Sequence, residues 1–192
     1  MLKERLISAI LLASLLSMII LFLSDEFMIY FLAFVTCVSL WEFLKVRFSS
    51  SLTFITLTFF VSLLFLSQVT FFSYLFIALS VILYLSSSVF ILSFPLNKAF
   101  LKNSITWVGS GYIIHLGFFA SIFQIISSEN LTNFPLNIVN ERLLILYVIL
   151  ISILMDSIAY FVGKNYGKRP FINNVSPNKT LEGFLSALVF TP

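Results

Sequence analysis

The stretch DSIAYFVGKNYGKRPFINNVSPNKTLEGF, residues 156–184, decides how this chain is read, because polar chemistry collects there after a series of long apolar runs. Asp156 lies inside an apolar run that begins near Leu143. A carboxylate at membrane depth costs roughly 2.5 to 3.5 kcal/mol on insertion scales, so it normally faces a polar cavity or a partner. Next come Gly163, Lys164, Gly167, Lys168 and Arg169, read as a basic loop. Small residues permit close backbone approach, and the cations suit phosphate oxygens. Ser176-Pro177 then reads as N-cap and first helical residue, since serine accepts from orphan N–H groups and proline has no N–H to lose. That places Lys179 in the first turn of a helix, where the dipole disfavours a cation unless an anion stands in front of it. Either a phosphate is that anion, or Lys179 snorkels to lipid headgroups.

Upstream of this stretch the composition sets the class. The chain is 60% hydrophobic and 10% charged with mean hydropathy +1.09, far from a soluble domain with about 25% charged residues. Its apolar runs are long and continuous, which excludes the period-two alternation of a β-barrel. Cys37 is the single cysteine, so there is neither an internal disulfide nor a cysteine metal cluster, and it reads as a small apolar residue on a helix.

The hydropathy pattern predicts helices over residues 6–23, 27–44, 52–67, 69–94 and 105–126, and a sixth from Arg142 onward, with a polar loop over 127–141. Lys3, Glu4 and Arg5 ahead of the first run resemble a signal peptide, but no small-residue cleavage site follows, so an uncleaved helix is expected. Gly109, Gly111 and Gly117 predict close helix packing, and His115 among them reads as an interhelical hydrogen-bonding group rather than a proton carrier. With the N-terminus inside, every Lys and Arg except Arg142 falls on the cytosolic side, as the positive-inside rule requires. The expected fold is therefore all-α, a polytopic membrane helical bundle. It has six full transmembrane helices over residues 1–162, then a cytosolic basic loop and the start of a seventh helix over 163–192. The net charge of +3 follows this topology and is spread over separate loops, so it excludes nucleic acid as a partner. The segment from Gly163 to Arg169 is superficially similar to a P-loop, but its glycine spacing is too short and no Ser or Thr follows Lys168.

The run Asp156-Ser157-x-Ala159-Tyr160-x-x-Gly163-Lys164-x-x-Gly167-Lys168, followed by Val175-Ser176-Pro177-x-Lys179-Thr180-x-Glu182-Gly183-Phe184, resembles the bacterial phosphatidate cytidylyltransferases, also called CDP-diacylglycerol synthases. Weaker echoes are the opening Met1-Leu2-Lys3-x-Arg5-Leu6-Ile7-Ser8-Ala9 and Trp41-Glu42-Phe43. The resemblance implies cytidylyl transfer from CTP to phosphatidate, giving CDP-diacylglycerol and pyrophosphate, at the cytosolic face of a bacterial inner membrane. It also implies Mg2+ and a homodimer. On this reading Asp156, Lys179 and Glu182 are the catalytic candidates, with Asp156 and Glu182 orienting cations or supporting the metal from outside its ligand shell. Ser176, Pro177, Thr180, Lys164, Lys168 and Arg169 are the substrate-binding candidates; for the last three, ordinary membrane anchoring fits equally. The family's metal-binding acidic block is expected further along than residue 192, so no metal ligand is assigned here. The stretch from Ser176 to Pro192, at about 1.5 Å per residue, is too short to cross a core of about 30 Å, and an N-terminal part of the enzyme is the expectation. Two other classes fit the same residues: a noncatalytic remnant or assembly partner, and a multi-pass transporter subunit lined by Asp156 and His115.

Overall fold

An apolar run without helix breakers satisfies its backbone groups within the segment, which is what lipid demands of a single crossing. The computed structural model accordingly is mostly helical; it describes residues 2–96, 102–127, 141–172 and 175–191. In chain order the elements are α1 (Leu2–Phe22), α2 (Asp25–Lys45), α3 (Ser50–Leu66), α4 (Thr70–Leu92), α5 (Ser104–Ser127), α6 (Glu141–Tyr166), β1 (Pro170–Ile172), β2 (Ser176–Thr180) and α7 (Leu181–Phe190). The polar loop expected over 127–141 falls almost wholly outside the described residues, as do residues 97–101.

Among the described residues four helices, α2, α4, α5 and α6, are long and apolar enough to cross a membrane. The six full spans expected from hydropathy are not supported. With 17 residues α3 rises about 25 Å, less than a core of about 30 Å. Its C-terminal end gives way to a tight turn, with Gln68 N–H on the Phe65 carbonyl and Val69 N–H on the Leu66 carbonyl. Among the described residues, α4 buries only Ser73 and Ser80 and α6 only Ile145, and their large apolar side chains point outward. Such surfaces suit acyl chains and not water.

Contacts divide the chain into two units, residues 1–81 with 108–146, and 82–107 with 147–192. In the first, small residues set the distance between helices, as expected of helix packing in lipid. A Cβ on Gly111 would lie 2.7 Å from Phe43 Cε1, and one on Gly117 would strike the Ser80 hydroxyl, whereas Gly109 has open space. The His115 Nδ1–H donates to the Gly111 carbonyl (2.6 Å), which leaves Nε2 to accept the Ser39 hydroxyl (3.1 Å). The expectation of a satisfied interhelical histidine holds. Tyr112 O–H donates to the Thr56 carbonyl and Gln124 Nε2 to Ser73 Oγ, tying α5 to α3 and α4. Around these bonds Leu40, Leu44, Phe60, Leu116 and Phe119 are fully buried.

The second unit departs from the all-α expectation. Strands β1 and β2 pair antiparallel, Pro170 opposite Thr180 and Ile172 opposite Ser176, with a bulge between. The helix expected from Ser176 therefore begins at Leu181. Its N-cap is Thr180, extended at φ −105° and ψ 150°, whose hydroxyl accepts the Gly183 N–H. Serine and threonine cap comparably; what decides between them is the pairing of 176–180 with 170–172, which keeps the backbone extended until Thr180. The basic loop likewise starts later than Gly163, because α6 runs on through Lys164 to Tyr166.

Candidate active site

Three glycines and one threonine bring the end of α6, the hairpin and the start of α7 together. A Cβ on Gly163 would lie 2.9 Å from Thr180 Oγ1, and one on Gly167 2.5 Å from Thr180 Cγ2. One on Gly183 would lie 2.6 Å from the Ala159 carbonyl oxygen and 3.1 Å from Gly163 Cα. The glycines of this stretch thus admit another part of the chain. The close backbone approach expected of them is made by the chain itself, helix against strand and helix against helix. Thr180, proposed from the sequence as substrate-binding, is placed with its hydroxyl on the Gly183 N–H at 3.3 Å and its methyl toward Gly167.

Glu182 closes the turn between α6 and β1. Its Oε2 accepts the N–H groups of Lys168 (3.1 Å) and Arg169 (3.2 Å), and its Oε1 accepts Arg169 Nε (3.0 Å). The Arg169 guanidinium, followed by the backbone N–H groups of Glu182 itself, Lys168 and Arg169, holds this carboxyl at about 2, against an ordinary value of 4.5. Leu181 N–H donates to the Arg169 carbonyl at 2.9 Å. The first three N–H groups of α7 are therefore engaged by the chain's own oxygens. The helix N-terminus expected at Ser176 as a phosphate cradle is absent there, and the true one is already capped.

Four cations, Lys164, Lys168, Arg169 and Lys179, stand around this junction. Lys168 and Lys179 are exposed and, among the described residues, their side chains make no hydrogen bond or ion pair. Lys164 Nζ sits 5.7 Å from the centroid of the exposed Tyr160 ring. Arg169 is 70% exposed and engaged by Glu182 through Nε, leaving the terminal nitrogens of its fork toward solvent. Lys179 lies in β2 rather than in a helical first turn, so no dipole conflict requires an anion beside it. Ser176 is half-buried opposite Ile172, and Pro177 is exposed. Asp156 is exposed on α6 and unpaired among the described residues. It stands three residues before Ala159 and seven before Gly163, on the helix face that Gly183 touches further along. The structure thus gathers Lys168, Arg169, Thr180 and Glu182 into one junction, with Lys164 one turn before it and Lys179 at its edge. Thr180 as cap and the Gly163–Gly183 contact are the parts sequence reading missed. Thr180 itself, a preferred N-cap residue directly ahead of the apolar run that opens at Leu181, is the signal that marks the cap.

No group of three or more His, Cys, Asp or Glu able to hold a metal occurs among the described residues. Both Glu182 oxygens are committed to N–H donors. The described residues by themselves do not fit the magnesium that the resemblance implies.

A chain whose described residues include four membrane-length apolar helices, with a cationic hairpin directly after one of them, is a membrane protein with a cationic end. Residues 3–192 match the cytidylyltransferase family, and the chain belongs to it. It is 37% identical over 92 residues to the phosphatidate cytidylyltransferase of Bacillus subtilis (strain 168), covering 46% of this chain and 31% of that one. Over 35 residues it is 51% identical to the phosphatidate cytidylyltransferase of Aquifex aeolicus (strain VF5), which is 18% of this chain and 14% of that one. Over 55 residues it is 46% identical to the protein of that name from Encephalitozoon cuniculi (strain GB-M1), 29% of this chain and 14% of that one. The matched segments thus span under a third of each relative's length. No solved structure matches the chain.

Proposed function

We infer that the protein takes part in cytidylyl transfer from CTP to phosphatidate, giving CDP-diacylglycerol and pyrophosphate at the cytosolic face of a bacterial inner membrane. The observation that carries this reading is the exposed, unpaired pair Lys168 and Lys179 beside the Glu182-held turn, at the end of a helix long enough to cross a membrane. Family membership and the names of the relatives support it. A phosphate oxygen of phosphatidate attacks the α-phosphorus of CTP, and the bond to pyrophosphate breaks. Two anions must meet, so catalysis is mostly positioning and charge neutralisation. Lys179 and Lys168 supply neutralising charge, and Arg169, oriented by Glu182, offers a fork to phosphate oxygens. Thr180 fixes the backbone next to Lys179. Asp156 orients a cation from α6. Magnesium, if bound, would add charge neutralisation; no described residue is assigned to hold it.

Membranes containing the protein are assayed for magnesium-dependent conversion of phosphatidate and CTP. Turnover that falls by about 10²-fold or more in Lys179→Ala is the expected result, the size typical of losing one electrostatic stabiliser. Conversion untouched by Lys179→Ala would remove Lys179 from the site, and no conversion by the wild-type protein even when the unmatched remainder of a relative such as the Bacillus subtilis protein is co-expressed would overturn the assignment.

A further inference from the structure

The hairpin carries apolar surface as well as charge. Phe171 of β1 stacks on Phe184 of α7, ring centroids 4.4 Å apart and planes 16° from parallel, yet the two residues remain 36% and 41% exposed. Val175, between the strands, is 49% exposed. Just upstream, exposed Tyr160 and Tyr166 flank Lys164, whose ammonium lies over the Tyr160 ring. Tyrosine and lysine together at the end of a membrane-length helix mark the headgroup level. The hairpin begins only a few residues beyond Tyr166, so its aromatic pair lies within reach of that level.

The geometry points to a lipid-docking surface: the β1–β2 hairpin lies in the headgroup layer of an anionic leaflet, with Phe171, Phe184 and Val175 at the acyl boundary and Lys168 and Lys179 on lipid phosphates. Charge complementarity selects the occupant. Glu182 is the only acid among residues 157–192 and it is taken by Arg169, and among the described residues Lys168 and Lys179 make no ion pair, so both exposed ammonium groups are open to an anionic surface. A leaflet rich in anionic lipid supplies anions in the plane where the helix already ends. This surface shares Lys168 and Lys179 with the proposed site and adds Phe171, Phe184 and Val175; because no activity enters its test, its failure is distinguishable from failure of the cytidylyl-transfer reading.

The full protein, with Cys37→Ser and a single new cysteine at Val175→Cys or Phe171→Cys, is labelled with an environment-sensitive fluorophore. It is reconstituted in vesicles of phosphatidylcholine, with and without phosphatidylglycerol. The Val175 site guards against disturbance of the aromatic stack. The expected result is quenching by shallow lipid-borne nitroxide exceeding that by aqueous iodide, more so on the anionic vesicles. Lys168→Gln with Lys179→Gln then shifts that ratio toward water by about fivefold or more on anionic vesicles only. A label freely quenched by iodide on both vesicles overturns the proposal. So does one shielded from both quenchers, which would mean that a second protein copy covers the hairpin.

Discussion

At Glu182 a single carboxylate gathers two backbone N–H groups and one guanidinium from residues fourteen and thirteen positions earlier in the chain. Its folded value of about 2 lies below the ordinary 4.5, so the ionised form is favoured in the folded state. For a depressed acid the contribution is fully present above about 4.5 and is lost as pH falls through 2. The amides of Lys168 and Arg169 should therefore lose protection between those values, read by hydrogen exchange corrected for its intrinsic pH dependence. Glu182→Gln should show the same loss at neutral pH. Protection unchanged in Glu182→Gln would mean that the hairpin itself, and not the carboxylate, holds the turn. The sequence marks Glu182 as a partner for nearby cations, and it is so placed. Which cation it takes was not legible, because Lys164, Lys168 and Arg169 are chemically equivalent candidates until the backbone turn puts Arg169 Nε beside Oε1.

At the scale of elements, the α6–α7 junction is a close approach permitted by missing side chains. Gly183→Ala would push a methyl to 2.6 Å from the Ala159 carbonyl oxygen, and overpacking of this kind costs about 1 to 3 kcal/mol. Gly109→Ala is the contrast: with open space around it, the higher helix propensity of alanine should leave stability unchanged or raise it by up to about 1 kcal/mol. Denaturant unfolding in detergent should rank Gly183→Ala well below Gly109→Ala, and equal effects would disprove the close junction. Thr180→Val keeps the branched shape and loses the cap to Gly183 N–H, a cost of about 1 kcal/mol, whereas Thr180→Ser keeps the cap. If Val and Ser prove equally costly, the hydroxyl is not the group that matters. The sequence places glycines at 163, 167 and 183, but it cannot say whether they make room for a ligand or for the chain.

For the molecule as a whole, Arg142 explains itself through its partners. It is the one basic residue expected on the outer side. Its Nη1 donates to the carbonyls of Leu23 (2.6 Å), Leu21 (3.0 Å) and Ile20 (3.3 Å), and its Nη2 to Asp25 Oδ1 (2.6 Å). The guanidinium thus caps the C-terminal end of α1, where the macrodipole favours a cation, and ties the first turn of α6 to the α1–α2 turn. Arg142→Ala should cost about 1.5 to 3 kcal/mol, the range for hydrogen bonds to a charged group. Asp25→Ala, which removes only a pair whose acid is 58% exposed, should cost about 0.2 to 1 kcal/mol. Thermal unfolding in detergent checks the order of the two. An Asp25→Ala effect as large as that of Arg142→Ala would show the ion pair, and not the carbonyl cap, to be the anchor.

By itself the sequence determined the helical, membrane-crossing character of the chain and the starts of most helices. These follow from runs of apolar residues whose backbone must bond within the segment, a local requirement that hydropathy reports directly. It also placed the polar chemistry between Asp156 and Glu182, because charge in so apolar a chain is conspicuous. Only the tertiary structure decided that residues 176–180 form a strand and that α7 waits for Thr180 and caps its own donors. Each of these depends on pairings and turns between segments separated in the chain, where two local solutions of similar energy compete and the non-local contact chooses.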